Sequence, residues 1–336
     1  MTTERDACLR EFLARSGWDA AERSVLAGDA SNRRYDRLKD AGLGNAVLMD
    51  APPNEGEGTR PFIKIATHLR GIGLSAPQIL AQDVDQGFLI IEDLGDDLFA
   101  RVLSDNLELE PTLYAAATDA LFHAQRASAP ANLGQYGPTE MAQTALRVPD
   151  WYLKYAAPDA PDIRQVFHDR IYALLTQYLT GPSVLVQRDY HAENLLWIPK
   201  RAAPGNVGLL DFQDAALGHP AYDLASLLKD ARRDVSPAVQ QDCIAQFIAL
   251  TDANPDAFAA AYAVCSAQRN LRIIGGFARL SIRDGKRHYP DMLPRVWRNL
   301  KDDLTHPILK DFGDWILSIL PAPTPQIIAR LKLANV

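Results

Sequence analysis

Short apolar runs separated by turn signals dominate the chain before about residue 105, and this pattern predicts a β-rich amino-terminal part. The turn signals include the segments AGLGN and DVDQG, in which Gly, Asn and Asp are frequent. Residues 60–70 differ, because their apolar positions recur at helical spacing and Gly71 and Gly73 follow them, so a helix is expected there. The predicted strands cover residues 25–26, 34–38, 46–50, 78–82 and 87–92.

Beyond this part the apolar positions recur at intervals of three and four, which predicts a mainly helical structure. Residues 113–124 and 166–178 show this spacing. Residues 184–212 break the pattern, with short strand-like runs around two polar loops. We therefore predict an α+β fold with an amino-terminal domain at residues 1–95 and a helical domain at residues 96–336.

The composition is typical of a globular protein. The chain has 336 residues, of which 47% are hydrophobic and 23% charged, and its formal net charge is -7. This charge gives no general attraction to nucleic acid or to anionic lipid, so neither is expected as a main partner. Charges at Glu4, Arg5 and Asp6 lie where a signal peptide needs an apolar core, and no apolar run reaches membrane-spanning length. We therefore expect a cytoplasmic protein that acts as a monomer.

Polar residues interrupt the strand-like stretch VQRDYHAENLLW at residues 186–197. Asp189 and Asn194 have the spacing D-x-x-x-x-N, and Asp211 follows Asn194 by seventeen residues in a D-F pair. Magnesium-dependent phosphoryl transfer needs a carboxylate that accepts a hydroxyl proton, and an amide oxygen and a second carboxylate that hold Mg²⁺ against the phosphates. These three residues could supply all of these groups. The spacing alone leaves open whether the stretch is a site or a solvated loop.

The motifs RDYHAEN, LLDFQD and GHPAYDLASLL together resemble those of the aminoglycoside phosphotransferase and choline kinase family. The resemblance covers nearly the whole chain, and it implies a bilobal protein-kinase-like fold with a small β-rich lobe and a larger helical lobe. It also implies that Asp189 is the catalytic base and that Asn194 and Asp211 bind Mg²⁺. His191 and Asp223 would support the catalytic loop through hydrogen bonds.

The same resemblance implies an ATP site in the amino-terminal part. The segment GDASNRRYDRL resembles the hairpin that covers the nucleotide, which makes Ser31, Asn32 and Arg33 the candidate nucleotide-binding residues. The segment LIIEDLG resembles the hinge, where the backbone around Glu92 and Leu94 is expected to hold the adenine. ATP and Mg²⁺ are therefore the expected cofactors.

The chain departs from the family pattern at the strand that usually carries a lysine for the α and β phosphates. The segment AVLMDAPP has Met49 or Asp50 at this position, and the helix at residues 60–70 has no glutamate to pair with such a lysine. Phosphate charge must still be neutralised, and we favour Arg33 for this role. The candidates are Arg33 and Arg34 in the hairpin and Lys64 in the helix.

This departure narrows the resemblance to one branch of the family. The hairpin GDASNRRYDR followed by VLMDAPP is similar to the bacterial N-acetylmuramate/N-acetylglucosamine kinases of cell-wall recycling. That similarity implies phosphorylation of the anomeric C1 hydroxyl, with a sugar 1-phosphate as the product that leads toward UDP-N-acetylmuramate. Two alternatives stay open: a kinase of another small alcohol, such as an aminoglycoside, choline or homoserine, and a nucleotide-binding pseudokinase. A metal-dependent hydrolase is disfavoured, because no second His or Cys ligand lies at local spacing.

Charge gives a further test of the substrate class, because the resemblance implies that the helices after the D-F motif help to line the substrate pocket. Residues 268–300 contain eight arginines and lysines against two aspartates, which disfavours a polycationic aminoglycoside and suits the carboxylate of N-acetylmuramate. Arg272 and Arg279 are the substrate-binding candidates, although a solvated basic face is an equal alternative and Gly275 and Gly276 leave open whether one helix continues. Further substrate candidates are Arg188, Asp214 and Trp151, whose ring could stack on a sugar.

Overall fold

The computed structural model describes residues 3–28, 33–53 and 58–334. The chain divides into two compact units. Unit 1 contains residues 1–105 and 193–214, and unit 2 contains residues 106–192 and 215–336. The chain therefore crosses between the units within the polar stretch identified in the sequence.

Strands are concentrated in unit 1 and helices in unit 2. The strands are β1 Glu22–Gly28, β2 Arg34–Asp40, β3 Gly44–Asp50, β4 Ile79–Asp83, β5 Phe88–Glu92, β6 Gln135–Tyr136, β7 Val184–Val186, β8 Leu195–Trp197, β9 Val207–Leu209 and β10 Ala216–Gly218. The helices are α1 Thr3–Arg15, α2 Arg60–Gly71, α3 Phe99–Asp105, α4 Glu110–Arg126, α5 Pro138–Ala145, α6 Lys154–Ala156, α7 Arg164–Tyr178, α8 Ala221–Leu228, α9 Pro237–Thr251, α10 Pro255–Asp284, α11 Leu293–Asp303, α12 Lys310–Ile319 and α13 Pro325–Leu333.

The first five strands form one antiparallel sheet in the order β1-β2-β3-β5-β4. Side chains alternate between the two faces of a strand, and the register that pairs Leu38 with Ala46 places both on the same face. Helix α1 packs against that face. The resulting core consists of Leu9, Phe12, Trp18, Leu38, Ala46, Leu48, Phe88 and Ile90. The five strands and the helix α2 predicted from the sequence are confirmed.

Helix α1 is an element that the sequence analysis did not predict. Its buried residues Leu9 and Phe12 form a narrow apolar stripe in an otherwise charged segment. Two arginines of α1 bind carboxylates of the sheet: Arg5 pairs with Asp50, and Arg15 pairs with a carboxylate of β4. The charges that argued against a signal peptide therefore also fix this helix on the sheet.

Helix α10 is the central element of unit 2. It is 30 residues long, and nearly every side chain between Phe258 and Ile282 is buried. Around it lie α5, α7, α8, α11 and α13. A small sheet, in which β10 pairs with β7 antiparallel and with β6 parallel, lies just before the predicted catalytic loop. Within the described ranges, no helix is both long enough and apolar enough to cross a membrane.

Helix α10 continues without a break through Gly275 and Gly276. The two glycines serve a close packing contact instead. A Cβ atom on Gly275 would lie 2.1 Å from the carbonyl carbon of Arg147 and 2.4 Å from the backbone nitrogen of Val148. Only a residue without a side chain therefore allows this backbone segment to lie against α10.

We expect Gly275→Ala to lower the free energy of unfolding by about 3 kcal/mol or more, because the added methyl group must displace backbone atoms. Chemical denaturation followed by circular dichroism measures this loss.

The neighbouring substitution Gly276→Ala is the matched control. Its new Cβ would have Arg147 Nη1 at 4.0 Å as its nearest contact, and alanine is the better helix former by about 1 kcal/mol. Equal unfolding midpoints for the two variants would show that the close approach at Gly275 does not constrain the fold.

Candidate active site

The loop that carries Asp189 begins where β7 ends, and Asp223 holds its backbone. Asp223 Oδ2 accepts a hydrogen bond from the backbone N–H of Gln187 at 2.6 Å, and Oδ1 accepts one from the backbone N–H of Arg188 at 2.9 Å. Asp223 lies in the first turn of α8 and is completely buried. Burial raises the pKa of Asp223 to about 7, while the two N–H groups favour its ionised form.

Arg188 adopts a backbone conformation that most side chains avoid. Its φ is +74°, in the left-handed region that glycine occupies most easily. Its guanidinium carbon lies 4.7 Å from the centre of the Tyr136 ring, a cation–π geometry that directs the side chain.

The carboxylate of Asp189 lies beside the guanidinium of Arg272, with Oδ1 3.7 Å from Nη2. Burial by itself raises the pKa of Asp189, but the positive charge of Arg272 and weaker charges around it outweigh burial and hold this pKa below its usual value. Asp189 is therefore ionised at neutral pH. The other arginines that act on its charge are Arg269 and Arg188.

His191 is buried and neutral. Burial lowers its pKa to about 4, so its ring carries no charge near pH 7. Arg232 Nη1 lies 3.3 Å from Nε2, which makes Nε2 the acceptor and places the ring proton on Nδ1. The contact with Arg232 thus favours one tautomer of His191, which lies two residues after Asp189 in the sequence.

Asn194 and Asp211 lie together in unit 1, on the loops before β8 and after β9. Asn194 Nδ2 is 3.5 Å from Asp211 Oδ2, and Gln213 Nε2 donates to Asp211 Oδ1 at 2.6 Å. Gln213 Oε1 is a buried oxygen with no hydrogen-bond partner in the part of the chain that the structure describes. Carboxylate and carboxamide oxygens are the hard ligands that Mg²⁺ prefers, so these residues fit a magnesium ion.

No group of three or more His, Cys, Asp and Glu side chains that could hold a metal lies within the described ranges. The candidate magnesium ligands around Asp211 are one carboxylate and two carboxamides. They are therefore a different kind of site from a group of three His, Cys, Asp or Glu side chains.

The two candidates for the lysine position point to opposite faces of the sheet. Asp50 lies on the face covered by α1, where it binds Arg5. Met49 lies on the other face, is 0% exposed and pairs across the strands with Leu89. Met49 therefore places an uncharged thioether, and not a cation, on the sheet face opposite α1.

The two hairpin arginines differ in their surroundings. Arg34 Nε lies 3.2 Å from Asp36 Oδ1, and alternation along β2 places both on the α1 face with Asp50. Arg33 is partly buried just before β2, while Ser31 and Asn32 lie outside the described residues. Lys64 is partly buried in α2.

The carboxylate of Glu92 is held by two arginines. Arg201 Nη2 donates to Glu92 Oε1 at 2.5 Å, and Arg70 Nη1 donates to Oε2 at 3.1 Å. The side chain is therefore engaged within unit 1, and only the backbone remains as a candidate adenine contact. Leu94 Cδ1 would lie 3.2 Å from a Cβ on Gly208, so this glycine makes room for Leu94.

Arg37 is a residue of this region that the sequence analysis missed. Its Nε lies 2.7 Å from Asp93 and its Nη2 lies 2.9 Å from Asp96. The hydrogen bonds that Arg37 donates to Asp96, acting against burial, raise the pKa of Arg37. Asp93 and Asp96 are thus bound by an arginine of β2, a pairing that no local sequence pattern could indicate.

The predicted substrate residues fall into separate groups. Arg188 and Arg272 lie near Asp189 in unit 2, and Arg272 is buried, so the solvated basic face is wrong for this residue. Arg279 lies two turns further along α10 and is partly buried. Asp214 is exposed and belongs to unit 1.

The segment that carries Trp151 is not an α-helix. Residues Val148–Leu153 form a π-helix, in which positions four apart are no longer aligned as in an α-helix. Trp151 is partly buried, and its neighbour Tyr152 is completely buried with its hydroxyl donating to the carbonyl of Pro321 at 2.8 Å.

Tyr136 and Arg147 are further residues of this region that the sequence analysis did not identify. The hydroxyl of Tyr136 lies 3.2 Å from that of Tyr222, and its ring lies under Arg188. Arg147 precedes the π-helix and lies among arginines: Arg272, Arg279 and Arg188 all act on its charge. Both residues are distant in sequence from the loop motifs, so only the fold brings them near Arg188 and Arg272.

The fold and the site motifs together define a phosphotransferase. The sequence profile of the phosphotransferase enzyme family matches residues 22–260, and the chain belongs to this family. The predicted α+β fold, with a β-rich amino-terminal part and a larger helical part, is confirmed by similarity to solved structures. One of them is an aminoglycoside 2'-phosphotransferase-IIIa in its GDP complex, with a TM-score of 0.63 and 12% identity over 90% of this chain and 100% of that chain.

Two curated relatives are named N-acetylmuramate/N-acetylglucosamine kinase. The protein of Caulobacter vibrioides is 35% identical, and the alignment covers 96% of this chain and 99% of the relative. The protein of Pseudomonas aeruginosa is 34% identical, with 94% of both chains covered. The resemblance to this branch that the sequence analysis stated is confirmed.

We expect Asp223→Ala to lower the free energy of unfolding by about 3 kcal/mol, because the buried N–H groups of Gln187 and Arg188 would lose their acceptors. Thermal and chemical denaturation at neutral pH measure this loss.

Asp159→Ala is the control, since Asp159 is exposed and lies in a turn. A surface substitution of this kind changes stability by about 0.5 kcal/mol at most. A similarly small effect of Asp223→Ala would mean that the loop backbone does not depend on this carboxylate.

Proposed function

We propose that this protein is an ATP-dependent kinase that phosphorylates the anomeric C1 hydroxyl of N-acetylmuramate and N-acetylglucosamine. The product would be the sugar 1-phosphate, which serves peptidoglycan recycling toward UDP-N-acetylmuramate. The relatives that share about a third of the sequence over nearly the whole chain support this substrate class. A cytoplasmic location and a monomeric state stay part of the same prediction.

The observation that carries the proposal is the charge around Asp189. Arginines from α10 and from the catalytic loop act on this carboxylate, with Arg272 at 3.7 Å. A polycationic aminoglycoside would be repelled by such surroundings, whereas an acidic or neutral amino sugar would not. The structure therefore favours the sugar over the alternative substrate of this family.

In the proposed mechanism Asp189 orients the C1 hydroxyl and accepts its proton. The low pKa of Asp189 keeps the carboxylate ionised and ready to accept a hydrogen bond at neutral pH. Asp223 fixes the loop backbone next to it, and neutral His191 is held by Arg232. Because the transition state of phosphoryl transfer is loose, correct positioning supplies much of the rate.

Asn194 and Asp211, with Gln213 beside them, would hold Mg²⁺. When bound, the ion supplies positive charge that neutralises the phosphates of ATP. The Gln213 amide holds Asp211 Oδ1 through a 2.6 Å hydrogen bond and so orients the carboxylate.

The nucleotide contacts are proposed from the resemblance to the family alone. Ser31, Asn32 and Arg33 would contact the phosphates, and the backbone near Glu92 and Leu94 would hold the adenine. Arg33 is the hairpin cation that we propose in place of the absent lysine, since Arg34 lies next to Asp36 on the α1 face.

Phosphorus NMR of the purified protein with ATP, Mg²⁺ and either N-acetylmuramate or N-acetylglucosamine should show a new phosphate resonance coupled to the anomeric proton.

Asp189→Asn should lower kcat by about 100-fold or more, because the amide cannot accept the proton, while the affinity for ATP stays near that of the wild type.

Kanamycin is the control substrate, and we expect no product from it. Transfer to kanamycin alone would replace the amino sugar by an aminoglycoside. ATP binding without transfer to any of the three would favour a nucleotide-binding pseudokinase, for which the missing lysine is an argument. Full turnover by Asp189→Asn would remove this residue from the mechanism.

Arg272→Met should move the acidic limb of the pH profile of kcat/KM to higher pH. Loss of the neighbouring cation raises the pKa of Asp189, so a proton occupies the base over a wider acidic range. An opposite charge at this distance is worth about one to three pH units, so the variant should lose activity at an acidic pH at which the wild type is still active.

Arg272→Lys retains the charge and should keep most of the wild-type profile. His191 stays neutral above a pKa of about 4, so it does not contribute a limb in this range. Superimposable profiles for the wild type and Arg272→Met would show that Arg272 does not set the ionisation of Asp189.

A further inference from the structure

One stripe along α10 brings charged and small residues together. Arg272, Gly276 and Arg279 are separated by four and three positions, so they lie on one face of this continuous helix. Arg147 lies across this stripe, because its Nη1 is 4.0 Å from the position of a Cβ on Gly276. The close backbone approach at Gly275 thus places the Arg147 guanidinium over Gly276, between two arginines of the helix.

The charges in this arginine group are not balanced. Arg272 has the carboxylate of Asp189 beside it. Within the described ranges, Arg147 and Arg279 make no ion pair or hydrogen bond, although both are partly buried. Burial lowers the pKa of Arg147, and repulsion from Arg272 and Arg279 lowers it further. Folding alone gains nothing from such an arrangement, which is typical of a site that receives an anion.

We propose that Arg147 and Arg279 bind the lactyl carboxylate of N-acetylmuramate and set the preference for this sugar. This inference rests on the proposed function and refines its substrate. Arg272 is not part of this carboxylate site, because its charge is already matched by Asp189.

The chemistry of the two sugars explains why this pair would determine specificity. N-acetylmuramate carries its carboxylate on an ether at C3, where N-acetylglucosamine has a hydroxyl group. A guanidinium presents two parallel N–H donors that match a carboxylate, and such charge-assisted pairs are about twice as strong as neutral hydrogen bonds. The acidic sugar therefore gains a contact that the neutral sugar lacks.

A nucleotide phosphate is the other anion that could meet these arginines. The two sources predict different behaviour. Loss of a carboxylate contact affects one sugar, whereas loss of a phosphate contact affects both sugars equally and raises the KM for ATP.

The test is calorimetric titration of the full-length protein with N-acetylmuramate and with its methyl ester, which has the same shape and no charge. The wild type should bind the acid about 10-fold to 100-fold more tightly than the ester. Arg147→Met should reduce this ratio to near one. Arg147→Lys should keep part of the preference, since it retains the charge and loses the paired donors.

Arg283→Met is the matched control on the same helix, because Arg283 is largely exposed and pairs with Asp284. It should leave the ratio unchanged. If Arg147→Met does not fold, Arg279→Met gives the same comparison from the other side of the pair.

Steady-state kinetics with the two sugars complete the test. The ratio of kcat/KM for N-acetylmuramate to that for N-acetylglucosamine should fall at least about tenfold in Arg147→Met. Equal affinity of the wild type for acid and ester would overturn the inference, and so would an equal loss on both sugars with a raised KM for ATP. An acid preference that depends on Arg147, found without any sugar phosphate product, would support this inference and refute the kinase function.

Discussion

Unit 2 is built around a helix whose polar residues are buried, and each of these residues must be matched by a partner. The carboxylate of Asp303 on α11 accepts hydrogen bonds from Ser266 at 2.8 Å and from Asn270 at 2.7 Å. The carbonyl of Met141 accepts from the Gln268 side chain at 2.7 Å. Leaving such groups without partners would cost about 1 to 3 kcal/mol each, so these hydrogen bonds stabilise the position of α10 among its neighbours.

The pairing of buried polar groups on α10 also positions Asp189, the candidate base. Arg272 follows Gln268 by one helical turn, and its charge is matched by Asp189. A helix fixed by its buried hydrogen bonds thus presents a fixed cation to the catalytic loop, and Asp223 fixes the loop from the other side. The ionisation of Asp189 is therefore a property of the packing of unit 2 and not of the loop sequence alone.

Local sequence patterns were sufficient for the strands of unit 1, for α2 and for the loop motifs, because these depend on spacing within a few residues. They were insufficient for α1, whose narrow apolar stripe at Leu9 and Phe12 is diluted by charges. They also could not identify Arg37, Tyr136 or Arg147. Each of these acts through a partner far away in the sequence, and only the tertiary fold defines that partner. Gly275 is another example of what local patterns could not predict. In the sequence it left open whether the helix continues, whereas in the structure the helix is continuous and Gly275 allows the backbone at Arg147 to approach it closely.

The acidity of the acceptor makes a weak base sufficient. A carboxylate whose pKa is held low by arginines is a poor proton acceptor, which would limit catalysis if the base had to remove the proton early. A loose transition state needs little proton transfer before the phosphoryl group has left its donor. On the proposed function the acceptor is a hemiacetal hydroxyl, which is more acidic than an ordinary alcohol and needs still less assistance. Arg272 weakens the base, whereas its neighbours Arg147 and Arg279 would favour the acidic sugar, so one group of arginines serves both chemistry and specificity.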